Sequence, residues 1–173
     1  MLRILLGVAA LPLFVTADVS TAQTDTPECE TPGELPAPLA GWSDPGALKA
    51  AGNFGAARRA ELTPGGSAVL TLLPTPQVRY PVRPEKPGGT VSYGGVLRFS
   101  VAEEGLWRVA LSTGAWVDVV KDGKASTSVA HGRGPPCTGI RKMVDYRLAP
   151  GTYALQVAAN GSETMTLMVA RLP

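Results

Sequence analysis

The chain has 173 residues, with 16 Lys and Arg against 14 Asp and Glu, a formal net charge of +2, one His and two Cys. So slight an excess of charge does not imply a polyanion partner, and nucleic-acid binding is excluded by the isolation of Arg58-Arg59 and Arg141-Lys142, which are pairs and not a basic face. A lone histidine excludes a two-histidine zinc site or a facial triad built from this chain alone.

The first residues, MLR, followed by the apolar run ILLGVAALPLFV at 4–15, have the pattern of a secretory signal. A membrane helix needs about 20 apolar residues, and Pro12 interrupts this shorter run. Small residues at −3 and −1 allow cleavage after Ala17 or after Ala22, the second being preferred, so 1–22 is read as the signal peptide. No cysteine follows at the distance a lipoprotein signal requires, which places the mature chain in a periplasm or outside the cell with no membrane span. Its loss removes Arg3 and Asp18 together and leaves the net charge unchanged. About 150 residues remain, enough for one core.

Residues 23–60 read as a Pro-rich arm, because Pro27, Pro32, Pro36 and Pro38 remove backbone donors and fix φ. One short helix is expected within it, with Asp44 as N-cap, Pro45 at the first position, Ala47 to Ala51 propagating it and Gly52 ending it. Leu39 and Trp42 are an apolar pair expected to pack on the neighbouring domain. In an oxidising compartment, and with no CxxC or CxxH spacing, Cys29 and Cys137 are expected to form a disulfide.

From 61 to 173 the hydrophobic period becomes two, the mark of strands with one buried face. A strand is expected over 67–73, and at most an edge over 77–82, where Pro76 and Pro81 intrude. Leu97, Phe99 and Val101 share a face, then Trp107, Val109 and Leu111 after a turn at Glu103-Glu104-Gly105. Asp122-Gly123 signals a hairpin joining 115–121 to 124–130. The stretch VAHGRGPPCTGIRK, 129–142, reads as a crossover stiffened by Pro135-Pro136 and anchored through Cys137. Val144, Tyr146 and Leu148, then Tyr153, Leu155 and Val157, then Met165, Leu167 and Val169 predict three consecutive antiparallel strands, turned at Ala149-Pro150-Gly151 and at a two-residue Asn160-Gly161 hairpin. Seven or eight short strands with no long helix predict an all-β, antiparallel, jelly-roll-like sandwich, a small closed barrel being the alternative.

Catalytic arrangements find little support. Neither Gly66-Ser67 nor Gly161-Ser162 lies in G-x-S-x-G, and a Cys-His pair would need Cys137 reduced. Asp118, Asp122 and Asp145 fall on polar faces, where solvation or a cross-strand pair with Lys121, Arg141 or Lys142 accounts for them. Binding is the better reading. If Val117 and Val119 face the core, Trp116 and Asp118 stand together on the other face, the minimum for a sugar-binding platform; if the register is shifted, Trp116 is core, and the arm could cover it. His131 and Arg133 in the glycine-rich stretch complete the candidate ligand-binding set. The sequon Asn160-Gly161-Ser162 is explained as a turn.

Two segments, GLWRVAL at 105–111 and LAPGTYALQV at 148–157, resemble the strand-turn-strand signature of bacterial pre-peptidase C-terminal domains. The runs PLAGW, KPGGTVSYGG, GAWVDVV and AHGRGPPCTGIRKMVDYRLAPGTYALQVA resemble a family of small exported bacterial proteins of unknown role, over most of the mature chain. Members of that family carry the name homogentisate 1,2-dioxygenase, an aromatic ring-cleaving enzyme whose iron is held by two histidines and a glutamate. Against those ligands this chain has His131 alone, so no catalytic residue or cofactor is carried over. The pre-peptidase resemblance implies an accessory module that performs no chemistry and binds a polysaccharide or another exported protein. An inhibitor or assembly factor for an exported protein is the further alternative.

Overall fold

The computed structural model describes residues 29–173. The signal peptide expected at 1–22, both cleavage sites and the first residues of the arm lie outside the described residues. Alternation of apolar and polar side chains builds two sheets that meet through their apolar faces. The strands are β1 Gly46–Lys49, β2 Ser67–Thr71, β3 Leu73–Pro74, β4 Tyr93–Val101, β5 Gly105–Leu111, β6 Trp116–Lys121, β7 Lys124–Ala125, β8 Ser128–Gly132, β9 Lys142–Leu148, β10 Gly151–Asn160 and β11 Thr164–Arg171. One sheet runs β1-β2-β11-β5-β9-β8 and the other β3-β4-β10-β6-β7. Within them β2-β11-β5-β9 faces β4-β10-β6-β7, the two-Greek-key arrangement of a jelly roll. The fold is an all-β sandwich and does not close into a barrel. Short strands β1, β3 and β8 extend this eight-stranded frame at its edges.

The period-two positions form the core between the sheets. Leu97, Phe99, Leu155, Val157, Leu111 and Leu167 are all fully buried there. Each such side chain contributes roughly 1.5–3 kcal/mol by leaving water. The outer faces are apolar as well. Ala110, Met168 and Ala170 on the six-stranded sheet are covered by Leu39, Trp42 and Ile140. Val96, Val120 and Ala154 on the five-stranded sheet are covered by Ala57 and by Val78, Tyr80 and Val82 of a strap following β3.

Several local expectations are corrected. The helix from Asp44 to Gly52 does not form: Gly46–Lys49 is β1, parallel to β2 from Gly46 opposite Ala68 to Lys49 opposite Thr71. So short a helix gains too few hydrogen bonds to offset its nucleation, whereas the ladder to β2 satisfies the same backbone groups. The arm's helical turns are 3-10, at Ala37–Ser43 and Ala56–Arg59.

The last three strands are antiparallel in direction but are not partners of one another. β9 pairs with β5 and β8, β10 with β4 and β6, and β11 with β2 and β5. Their turns are arches that change sheet, so that successive apolar faces oppose each other across the core. At the second arch the left-handed residue is Ala159, φ 55°, and Asn160 is buried, accepting from the Thr113 hydroxyl at 2.7 Å and donating to the Ser162 carbonyl at 2.6 Å. A buried amide replaces the expected type I′ turn.

Asp122-Gly123 does make a hairpin, with φ 51° and 73°. The strand after it is shorter than expected: β7 ends at Ala125, and the chain changes sheet at Ser126-Thr127 to begin β8. The crossover expected within 129–142 is therefore displaced, because β8 and β9 are neighbours in one sheet and 133–141 is the loop between them.

Cys29 is joined to Cys137 with Cα atoms 5.4 Å apart and a sequence separation of 108. Beside the bridge, the Gly33 N–H donates to the Cys137 carbonyl at 2.8 Å. A side chain at Gly33 would collide with the Pro136 carbonyl, so glycine is required for the arm to approach this closely. Farther along, the Trp42 indole N–H donates to the Thr138 carbonyl at 2.8 Å.

Replacing both cysteines by serine is expected to lower the melting temperature by roughly 5–15 °C, reflecting a lost constraint of about 2–4 kcal/mol. Thermal denaturation of the two forms checks this. Leu167→Ala in the inner core is expected to cost about 2–5 kcal/mol in urea denaturation.

Candidate functional site

The site follows from how β6 ends its sheet. β10 pairs with one side of β6, but β7 pairs with the other side only at Val120 and Lys121. The carbonyls on the open side still require donors. Ala115 receives the Lys142 ammonium at 2.9 Å, Val117 the Tyr146 hydroxyl at 3.3 Å, and Val119 the Ser126 backbone N–H at 2.7 Å. Lys142 and Tyr146 come from β9 in the opposite sheet, so this is also where the two sheets are tied across their rim.

A cavity of about 560 Å³ opens at this rim. Trp116, Asp118, Lys142 and Tyr146 line it, with Glu85 and Lys86 from the strap, Ser126, Thr127 and Ser128 from the crossover, and His131 on β8. A second groove of about 320 Å³ shares His131 and Lys142 and continues past Arg133 and Arg141. The fold thus gathers all four ligand-binding candidates along one surface: Trp116, Asp118 and His131 in the cavity, Arg133 in the groove. His131 and Arg133 are exposed, and Trp116 and Asp118 half-buried.

Val117 and Val119 face the core, which sets Trp116 and Asp118 on the opposite side of β6. The carboxylate of Asp118 is held from two directions. One oxygen accepts from the Trp116 indole N–H at 2.9 Å and the other from the Gln156 amide at 2.7 Å. Gln156 is fully buried and also grips the strap, accepting from the Val82 N–H at 3.3 Å and donating to the Val82 carbonyl at 3.1 Å. One amide on β10 therefore fixes both the Asp118 carboxylate and the strap that brings Lys86 to the cavity.

The arm does not cover Trp116. Its ring is instead approached by two ammonium groups, Lys142 at 5.5 Å and Lys86 at 5.6 Å from the centroid. Burial pushes the Lys142 ammonium below its ordinary pKa, the nearby Lys86 charge pushes it further, and the Asp118 charge opposes both. Burial and then the Asp118 charge push the Tyr146 phenol far up, so it stays protonated as a donor to Val117.

Asp145 lies elsewhere, on the outer side of β9. It is 5% exposed and accepts both Arg108 donors of a bidentate pair at 2.8 Å. Its cross-strand partner is Arg108 on the adjacent β5, not Lys121, Arg141 or Lys142. Lys121 caps the Pro150 carbonyl at 2.8 Å. Among the described residues no three His, Cys, Asp or Glu side chains are grouped so as to hold a metal ion.

Lys86, Lys142, Tyr146 and Gln156 were not among the ligand-binding candidates read from the sequence, where Lys142 stood only as a cross-strand partner for an aspartate and Tyr146 only as a core-facing residue. Lys142 and Tyr146 carried a signal, since alternation puts both on the same face as Val144. No family model matches the chain, and no curated protein matches it.

The phenols of Tyr80, Tyr146 and Tyr153 are all raised, burial being the first cause for each. The folded chain therefore keeps protons that the unfolded chain releases above about pH 10, and stability that is full below that pH is lost as the pH climbs toward the folded values. Tyr146→Phe is expected to lower stability at pH 7 by about 1 kcal/mol through the lost hydrogen bond. It should also flatten the alkaline loss in urea midpoints measured between roughly pH 8 and 11.

Proposed function

We propose that this chain is a non-catalytic binding module of an extracytoplasmic compartment and that its ligand is a polysaccharide received in the rim cavity. The observation that carries this reading is the convergence of an indole, hydroxyl groups and fixed polar side chains on one open, elongated surface. Sugar recognition uses this combination, an aromatic wall for the apolar face of a ring and oriented polar groups for its hydroxyls. Ser126, Thr127 and Ser128 supply hydroxyls along one side of the cavity, and Trp116 supplies the aromatic wall. The indole is not free to turn, because its N–H is committed to Asp118.

The disulfide between Cys29 and Cys137 is compatible with a periplasmic or extracellular setting. No helix among the described residues is long and apolar enough to cross a membrane. A protein partner is favoured by a different feature. β8 is an edge strand without Lys, Arg, Asp or Glu, exposed along its whole length, with Val129 53% exposed, and a partner's strand could add to it.

A glycan array probed with the mature protein and with Trp116→Ala tests the first reading. Binding to one class of polysaccharide, weakened about tenfold or more by the substitution, is expected. Absence of binding to any glycan, together with capture of an exported protein that Val129→Lys abolishes, would move the assignment to the β8 edge.

A further inference from the structure

Lys86 and Lys142 are matched in number by Glu85 and Asp118 around the cavity, and the excess of positive charge comes from Arg133 and Arg141 in the groove that shares Lys142. Lys86 and Lys142 converge on one indole ring although their charges repel each other. Neither takes part in the ion pairs of the described residues, which join Arg108 to Asp145 and Arg171 to Glu103. Lys142 cannot withdraw, because its ammonium caps the Ala115 carbonyl on the open side of β6. Lys86 is carried on the strap that Gln156 holds at Val82. Arg133 and Arg141 add two further cations along the connected groove.

Against these stand Glu85 and Asp118. Both oxygens of Asp118 are already engaged, by Trp116 and by Gln156. Two ammonium groups that flank one indole ring, neither in an ion pair and one of them partly buried, are stabilised by an anion that enters beside them. The same proximity that raises the free energy of the empty site becomes a gain when an anion is bound.

We propose that the rim cavity binds the carboxylate of a uronic acid unit in an acidic polysaccharide, between Lys86 and Lys142 beside Trp116. The neighbouring units run along the groove past His131 toward Arg133 and Arg141. This rests on the polysaccharide-binding reading above and assigns its chemical class. Hydroxyls at Ser126, Thr127 and Ser128 face the non-ionic part of the unit, which is why a sugar acid fits better than a bare anion.

Isothermal titration with oligogalacturonate and with its methyl ester, a neutral ligand with the same backbone, tests the assignment. Binding of the acid, at least about tenfold weaker for the ester, is expected. Lys86→Gln, at an exposed position, should weaken acid binding about tenfold and leave the melting temperature unchanged. Lys142→Gln should do the same if the fold tolerates losing the cap on Ala115, and Arg141→Gln should weaken longer oligomers more than the monomer. Raising the salt concentration should weaken the acid and not the ester. Equal affinity for acid and ester would overturn the uronate assignment and leave polysaccharide binding standing. Stronger binding of poly-glutamate than of oligogalacturonate would overturn it in favour of an acidic protein. Failure of acid, ester and every neutral glycan to bind would overturn the polysaccharide reading itself.

Discussion

The open side of β6 is the constraint around which the rest of the rim is organised. A strand edge that no neighbour covers must have its backbone groups answered one at a time. Here three carbonyls in alternation are answered by an ammonium, a phenol and a backbone N–H, each from a different part of the chain. The phenol and the ammonium come from β9 in the opposite sheet, so satisfying β6 also stitches the two sheets together. A consequence is that the Lys142 side-chain nitrogen is placed beside Trp116, where burial and the Lys86 charge push its pKa down. The placement of Lys142 and Tyr146 at the candidate surface is thus a by-product of a structural demand.

The outer faces of both sheets are covered, by the arm on one and the strap on the other. The arm lies across the outer face of the six-stranded sheet through Leu39 and Trp42, fastened by Cys29 to Cys137 and by the Trp42 bond to Thr138. The strap lies across the five-stranded sheet, and Gln156 pins it by pairing with the backbone of Val82 as another strand would. Both coverings exist because the outer faces are themselves apolar, with Met168, Ala170, Val96 and Val120 buried beneath them. A jelly roll normally leaves such faces to water. In this chain they serve as docking platforms for two segments that have little regular structure of their own.

Much of the frame could be read from residue order, because period-two alternation is a local property. Val144, Tyr146 and Leu148, or Leu97, Phe99 and Val101, declare their buried face within six residues or so. Which strand lies beside which is not local, and the arches after β9 and β10 look like hairpins until the partner strands are known. The segment Gly46–Lys49 carried helical signals at Asp44 and Pro45 but was decided by its pairing with β2, Gly46 opposite Ala68 and Lys49 opposite Thr71. At the site the same division holds. Alternation set Trp116 beside Asp118, and the glycine-rich stretch drew attention to His131 and Arg133. Lys86, Lys142 and Gln156 matter only through contacts between sheets and strap, and a net charge of +2 gives no hint that cations are gathered at one corner.

The rim therefore joins two properties that the chain as a whole does not show: a local excess of positive charge and an aromatic wall whose orientation is fixed. Together they are the properties on which the proposed anionic, indole-packing ligand rests. The most direct measurement is a ¹H–¹⁵N titration of the labelled protein with oligogalacturonate, following the three indole N–H signals. The Trp116 indole and the backbone amides of Ser126, Ser128 and His131 should shift together and saturate, while the Trp42 and Trp107 indoles stay in place. Shifts centred on Trp42 or on the β1 edge, or none that saturate, would contradict the assignment of the rim as the binding surface.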